Sequence, residues 1–124
     1  LMAVSDAEGE AVFHVDEYSS GGSSLLKRAE STSDIKVKLT SLDQFVETHH
    51  LDKVDFIKAD IEGAERLLLK GAKNILKQHQ PVLALCTYHL PDDKEVLSNL
   101  ILEANPHYKI VHRWQKLFAY VPKK

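Results

Sequence analysis

Two short stretches of this 124-residue chain concentrate side chains able to do chemistry. Asp60-Ile61-Glu62-Gly63-Ala64-Glu65 holds three carboxylates in six residues, and Thr87-Tyr88-His89 offers a hydroxyl, a phenol and an imidazole. Each follows an apolar run that reads as a strand, so each delivers polar groups to a strand's carboxyl end. In open α/β sheets, ligands collect in the crevice outside those ends. A carboxylate or imidazole placed there can take a proton from a hydroxyl that it reaches directly or through one water. Asp60 is the first candidate for such a base, with Glu62 and His89 as rivals. An Asp-x-Glu pair also serves glycosidases, where two carboxylates divide acid and base duties. Three close oxygen or nitrogen ligands are not assignable from this spacing, so no metal site is expected.

Ordinary structural roles compete with these. Acids at a helix start satisfy free amides and favour the positive end of the dipole, which accounts for Glu62 or Glu65. They account less well for Asp60, because a carboxylate ending an apolar strand must be desolvated or paired. Lys58, two residues earlier on the same face of the strand, is the expected partner. His14, His79, His107 and His112 are scattered. His49 and His50 are adjacent and point to different sides of a helix, which makes a poor metal pair.

The elements that must position these groups follow from periodicity. Val54–Ile61 is apolar on both faces apart from Asp55, Lys58 and Asp60, and Val82–Cys86 is apolar on both faces. Between them Ala64, Leu67, Leu68, Ala72, Ile75 and Leu76 keep the 3.6-residue period of one helix, which Pro81 stops. Two strands buried on both sides and joined by a helix predict a parallel sheet in a right-handed βαβ crossover. Pro91 to Glu95 starts a further helix with buried positions Val96, Leu97, Leu100, Ile101 and Ala104, ended by Asn105-Pro106. Tyr108–His112 and Leu117–Val121 form a C-terminal antiparallel hairpin.

Upstream, Leu1–Asp6 and Ala11–Val15 read as two short strands that pair as a hairpin. Ser19 to Ser24 has a loop composition, without the following Lys-Ser/Thr of a phosphate cradle. Ile35, Val37 and Leu39 alternate with polar residues in a half-exposed antiparallel strand. Ser41 then caps a helix, with Gln44 completing a capping box, and Leu42, Phe45 and Val46 as its apolar stripe.

Composition narrows the function. Sixteen Lys and Arg against eighteen Asp and Glu, a net charge of −2, exclude a general electrostatic grip on nucleic acid or anionic membrane. The lone Cys86 cannot staple a secreted fold, and no apolar run approaches the ~20 residues of a membrane span. A cytoplasmic setting is the expectation. Leu1-Met2 opens inside an apolar run, which predicts a piece of a longer protein.

The stretch VDFIKADIEGAERLLLKGA, Val54 to Ala72, resembles the signature of the FkbM family of S-adenosylmethionine-dependent methyltransferases. The resemblance extends to AVSDAEGEAVF (Ala3 to Phe13), TSLDQFV (Thr40 to Val46), PVLAL (Pro81 to Leu85) and the Tyr88-His89 pair. It implies an α/β, class I (Rossmann-like) methyltransferase fold whose sheet ends in an antiparallel hairpin. Asp6 would then address the adenine of S-adenosylmethionine, and Asp60 would sit beside the transferred methyl and the acceptor. Acceptors in the family are mostly sugar and natural-product hydroxyls, so a small-molecule or glycan partner is implied.

One departure stands out. The family's cofactor site rests on a Gly-rich turn after the first strand and an acidic residue after the second. Gly9, Gly21, Gly22, Gly63 and Gly71 form no such pattern. Residues 1–124 are therefore expected to be the C-terminal part of one methyltransferase domain, inactive without the missing N-terminal portion. The alternatives are a non-catalytic half-domain that needs a partner chain, and an Asp/Glu-dependent hydrolase.

Overall fold

The computed structural model describes residues 1–17, 22–26 and 33–123. Their elements are β1 (Met2–Val4), β2 (Gly9–Val15), β3 (Ser33–Thr40), α1 (Leu42–Thr48), β4 (Phe56–Ala59), α2 (Glu65–Lys70), α3 (Lys73–Gln78), β5 (Val82–Cys86), α4 (Asp93–Ala104), β6 (Lys109–Arg113) and β7 (Lys116–Tyr120). They make two sheets, one ordered β1-β3-β2 and the other β4-β5-β7-β6.

The second sheet carries the core. β4 and β5 run parallel, from Phe56 opposite Val82 to Ala59 opposite Leu85. β7 adds antiparallel to β5, and β6 antiparallel to β7. Ile57, Ala59, Leu83, Leu85, Leu117 and Ala119 on one face pack with Leu68, Leu69 and Leu76 of α2–α3 and Leu97 and Ile101 of α4. Two polar side chains within this core are satisfied: Tyr108 Oη donates to Pro81 O at 2.8 Å, and Asn105 Nδ2 to Leu76 O at 3.0 Å.

Burial on both faces is not what the described residues display. Phe56 is 57% exposed, and Val82, Val111, Phe118 and Tyr120 are also exposed. The alternation places them opposite the helices, so the apolar residues of that face have no layer over them among the described residues.

The upstream hairpin also fails. β1 and β2 do not pair; β3 lies between them, parallel to β1 over three positions and antiparallel to β2 over seven. The longer ladder satisfies more backbone donors and acceptors than a three-residue pairing of β1 with β2 would. Half of the Ser19–Ser24 loop, Ser19 to Gly21, lies outside the described residues. Ser41 caps α1 as expected, its Oγ accepting from Gln44 N at 3.1 Å, but the Gln44 amide donates to Thr48 Oγ1.

The single helix expected after β4 is two, divided at Gly71-Ala72. Packing explains the break. A Cβ on Gly71 would lie 2.2 Å from Ser5 O and 2.9 Å from Ser41 Cβ, so the helix ends where it meets the exits of β1 and β3. Gly71 O accepts from Asp43 N, and the Asp43 carboxylate accepts from Asn74 N and Ile75 N at 2.9 and 3.0 Å. α1 thereby caps α3, which has no capping side chain of its own. Among the described residues no helix is long and apolar enough to cross a membrane.

Gly71→Ala is expected to destabilise the fold by about 1–3 kcal/mol, the usual penalty of overpacking, read as a lower urea midpoint. An unchanged midpoint would mean that the contact between Gly71 and Ser5 is slack.

Candidate active site at the strand exits

The chain leaving β4 turns sharply. Glu62 and Gly63 have φ of 57° and 96°, a left-handed pair costing about 1–2 kcal/mol at the non-glycine position. What holds the turn is Glu65, which has no exposed surface. Its Oε1 accepts from Ile61 N at 2.8 Å and its Oε2 from Gly63 N at 3.0 Å. Glu65 does act as a cap, but on the loop before the helix. Ser24 Oγ donates to Glu62 O at 3.3 Å and Leu26 closes over Gly63, which brings β2's far loop onto the turn.

The chain leaving β5 is held with equal economy. Thr87 N donates to Gln115 O at 2.9 Å, tying the exit to the β6–β7 turn. Three residues past His89, Asp92 pairs with the Arg66 guanidinium; buried Asp93 accepts from Arg66 Nη2 at 2.9 Å and from Leu90 N at 2.9 Å.

Between these two exits, three predicted residues come together. His89 Nε2 lies 3.0 Å from Asp60 Oδ1, and Tyr88 Oη donates to the same oxygen at 3.1 Å. His89 Nδ1 lies 3.7 Å from Glu62 Oε2, and Nε2 lies 3.6 Å from Glu65 Oε1. The imidazole is only 5% exposed, with the Tyr88 ring 4.1 Å away between centroids, whereas Asp60 is 45% exposed. The buried imidazole backs a carboxylate that meets solvent.

Electrostatics agree with this geometry. Partial burial raises the Asp60 carboxyl, but hydrogen bonds from His89, Tyr88 and Cys86 outweigh it and hold the group below its ordinary range. The Tyr88 phenol is pushed up to about 12, first by its bond to Asp60. Burial, reinforced by Asp60, raises the Cys86 thiol.

Two expectations change. Lys58 is not the partner of Asp60: the carboxylate bonds across to the β5 exit, because the parallel register sets the two exits side by side. Asp6 does not join the cluster. It is exposed after β1, accepts from Ser5 Oγ at 3.1 Å, and lies beside Gly71 at the far end of α2. The six residues of that helix put about 9 Å along its axis between Asp6 and the Glu65 turn. Sequence reasoning missed Tyr88 as the second donor to Asp60, although its place beside His89 was the available signal. It also missed Asp93, whose full burial nothing in a helix-start pattern announces.

A carboxylate and an imidazole presented together at neighbouring parallel strand exits define an α/β protein with a site suited to moving a proton. The Methyltransferase FkbM domain matches residues 2–120, and the chain belongs to the FkbM methyltransferase family. It is similar to the crystal structure of the methyltransferase FkbM from Methylobacillus flagellatus KT, at 33% identity and a TM-score of 0.58. That match covers 68% of this chain and 23% of the other. No curated protein matches the chain.

Two measurements check the geometry. Glu65→Gln keeps one acceptor where two buried amides need one each, so a loss of about 1–3 kcal/mol is expected in urea unfolding. Faster hydrogen exchange at Ile61 and Gly63 should accompany it. In phenol absorbance, the wild-type minus Tyr88→Phe difference should titrate near 12. The same difference in an Asp60→Asn background should fall toward the ordinary value of about 10. The sign follows from linkage: a raised phenol pKa adds stability below the ordinary value, lost as pH climbs through the folded one.

Proposed function

We propose that this chain is the acceptor-side part of an S-adenosylmethionine-dependent O-methyltransferase, with a hydroxyl of a sugar or natural product as substrate. Family membership supports methyl transfer, and the paired Asp60 and His89 support a hydroxyl acceptor. The observation that carries the reading is the half-exposed carboxylate braced by a buried imidazole and a phenol at one strand exit.

The residues present fit one side of the cofactor. Asp6, exposed after β1, offers a carboxylate able to accept from amino or hydroxyl groups of a nucleoside, and Asp60 offers another at the opposite end of α2. The Gly-rich turn that would cradle the rest of the molecule is not among the glycines of this chain. When bound, S-adenosylmethionine supplies a methyl group already activated on a sulfonium. What remains for these residues is alignment and proton removal. Asp60, ionised throughout the neutral range, accepts the hydroxyl's hydrogen, while His89 and Tyr88 hold the carboxylate in one orientation. Alignment supplies about 7–11 kcal/mol in well-oriented systems, and a placed base ~10²–10⁴-fold.

The same reading covers the rest of the domain. The order β4-β5-β7-β6, with one parallel pair followed by an antiparallel hairpin, supports the C-terminal half of a class I (Rossmann-like) sheet. The separation of β1 from β4 into different sheets supports missing strands between them. The exposed row Phe56, Val82 and Phe118 supports a covering layer from the same domain.

Asp60→Asn in the full-length protein should lower kcat by ~10²–10⁴-fold, with unchanged circular dichroism. Near-normal turnover would make Asp60 a structural residue and end this assignment.

A further inference from the structure

The Asp60 cluster has the composition of an ion site as well as of a proton relay. Asp60, Glu62 and His89 each present one donor atom, and the three atoms lie within 4.8 Å of one another. We propose that these residues bind one divalent cation of the manganese class. The proposal rests on the methyltransferase reading for the ion's use, to hold an acceptor oxygen, but not for its binding.

Cis donors on an octahedral ion with bonds near 2.1 Å stand about 3 Å apart. His89 Nε2 and Asp60 Oδ1 already stand at 3.0 Å, and Glu62 contributes an oxygen to the set of three donor atoms that lie within 4.8 Å of one another. Two carboxylate oxygens with one imidazole nitrogen suit a cation that accepts both hard and borderline ligands, where all-oxygen sites favour magnesium or calcium. One donor is braced from outside: Tyr88 Oη holds Asp60 at 3.1 Å. Such outer bonds are what orient metal ligands.

Two further observations concern the surroundings of the cluster. Thr87 Oγ1, two residues from His89 in the same exit segment, is buried without a hydrogen-bond partner among the described residues. Asp60 is 45% exposed, so the site opens to solvent on the side where an acceptor would arrive.

The test is Mn2+ titration of the full-length, chelator-treated protein, followed by the electron-spin signal of free Mn2+. One bound ion per chain is expected, with nitrogen modulation from an imidazole. Asp60→Asn and His89→Gln should each weaken binding at least tenfold, and His89→Gln should abolish the nitrogen modulation. Glu62→Gln, on the looser side of the cluster, provides a third variant, and Glu103→Gln on the exposed face of α4 should bind like wild type. No bound Mn2+, or equal affinity in every variant that keeps its circular dichroism, would overturn the ion site. Methyl transfer undiminished by chelation, with no Mn2+ bound, would overturn it while leaving the functional reading intact. Mn2+ bound by a protein without methyl transfer would do the reverse.

Discussion

The first turn of α2 governs both halves of the site. Glu65 and Arg66 are consecutive, yet they serve different loops: Glu65 takes the amides of Ile61 and Gly63, and Arg66 takes Asp92 and Asp93. A buried carboxylate without partners would be expelled or neutralised. Glu65 avoids that only while the β4 exit keeps its left-handed turn, so the charge and the turn require each other. Asp93 is bound in the same way to Leu90 N, which fixes the chain just beyond His89. Asp60 and His89 therefore come within 3.0 Å because one helix turn anchors both strand exits.

Packing gives that helix its own fixed position. Leu68 and Leu69 seat α2 against the sheet, and its end at Gly71 abuts the backbone of Ser5. Asp43 then bridges to the start of α3. This junction joins the three-stranded sheet to the helical layer through polar and backbone contacts beside the apolar packing of Val4, Leu42 and Val46. The first sheet meets the helical layer by close approach at Gly71 and by packing Val4 on the core, and the second by burial of leucine and isoleucine.

Much of this was legible in the residues. Two apolar runs around a periodic helix announce β4 and β5, and the final alternating pair announces β6 and β7. The Asp60, Glu62 and His89 grouping was legible because strand exits concentrate polar chemistry. Other features depend on distances that no local pattern contains. Gly71 looks like a tolerated glycine inside a helix until Ser5 O is placed against it. Lys58 shares a strand face with Asp60, but the parallel register offers Tyr88 and His89 instead. β1 and β2 look like a hairpin until β3, more than twenty residues from β1, supplies a longer ladder to both.

The three acids of the β4 exit divide by how their oxygens are occupied. A carboxylate has about four acceptor positions. Glu65 turns both oxygens inward onto backbone amides and is fully buried, so it is a fixed part of the loop. Asp60 receives Tyr88 and His89 on one oxygen, Oδ1, on a side chain that is nearly half exposed. It is held firmly enough to have one orientation and openly enough to accept a further partner. Glu62 is directed beside it by a backbone conformation that glutamate seldom adopts, and that conformation persists because Glu65 and Ser24 hold the loop on either side. Strain at Glu62, burial at Glu65 and exposure at Asp60 are thus three consequences of one turn, and the last faces outward with acceptor capacity to offer.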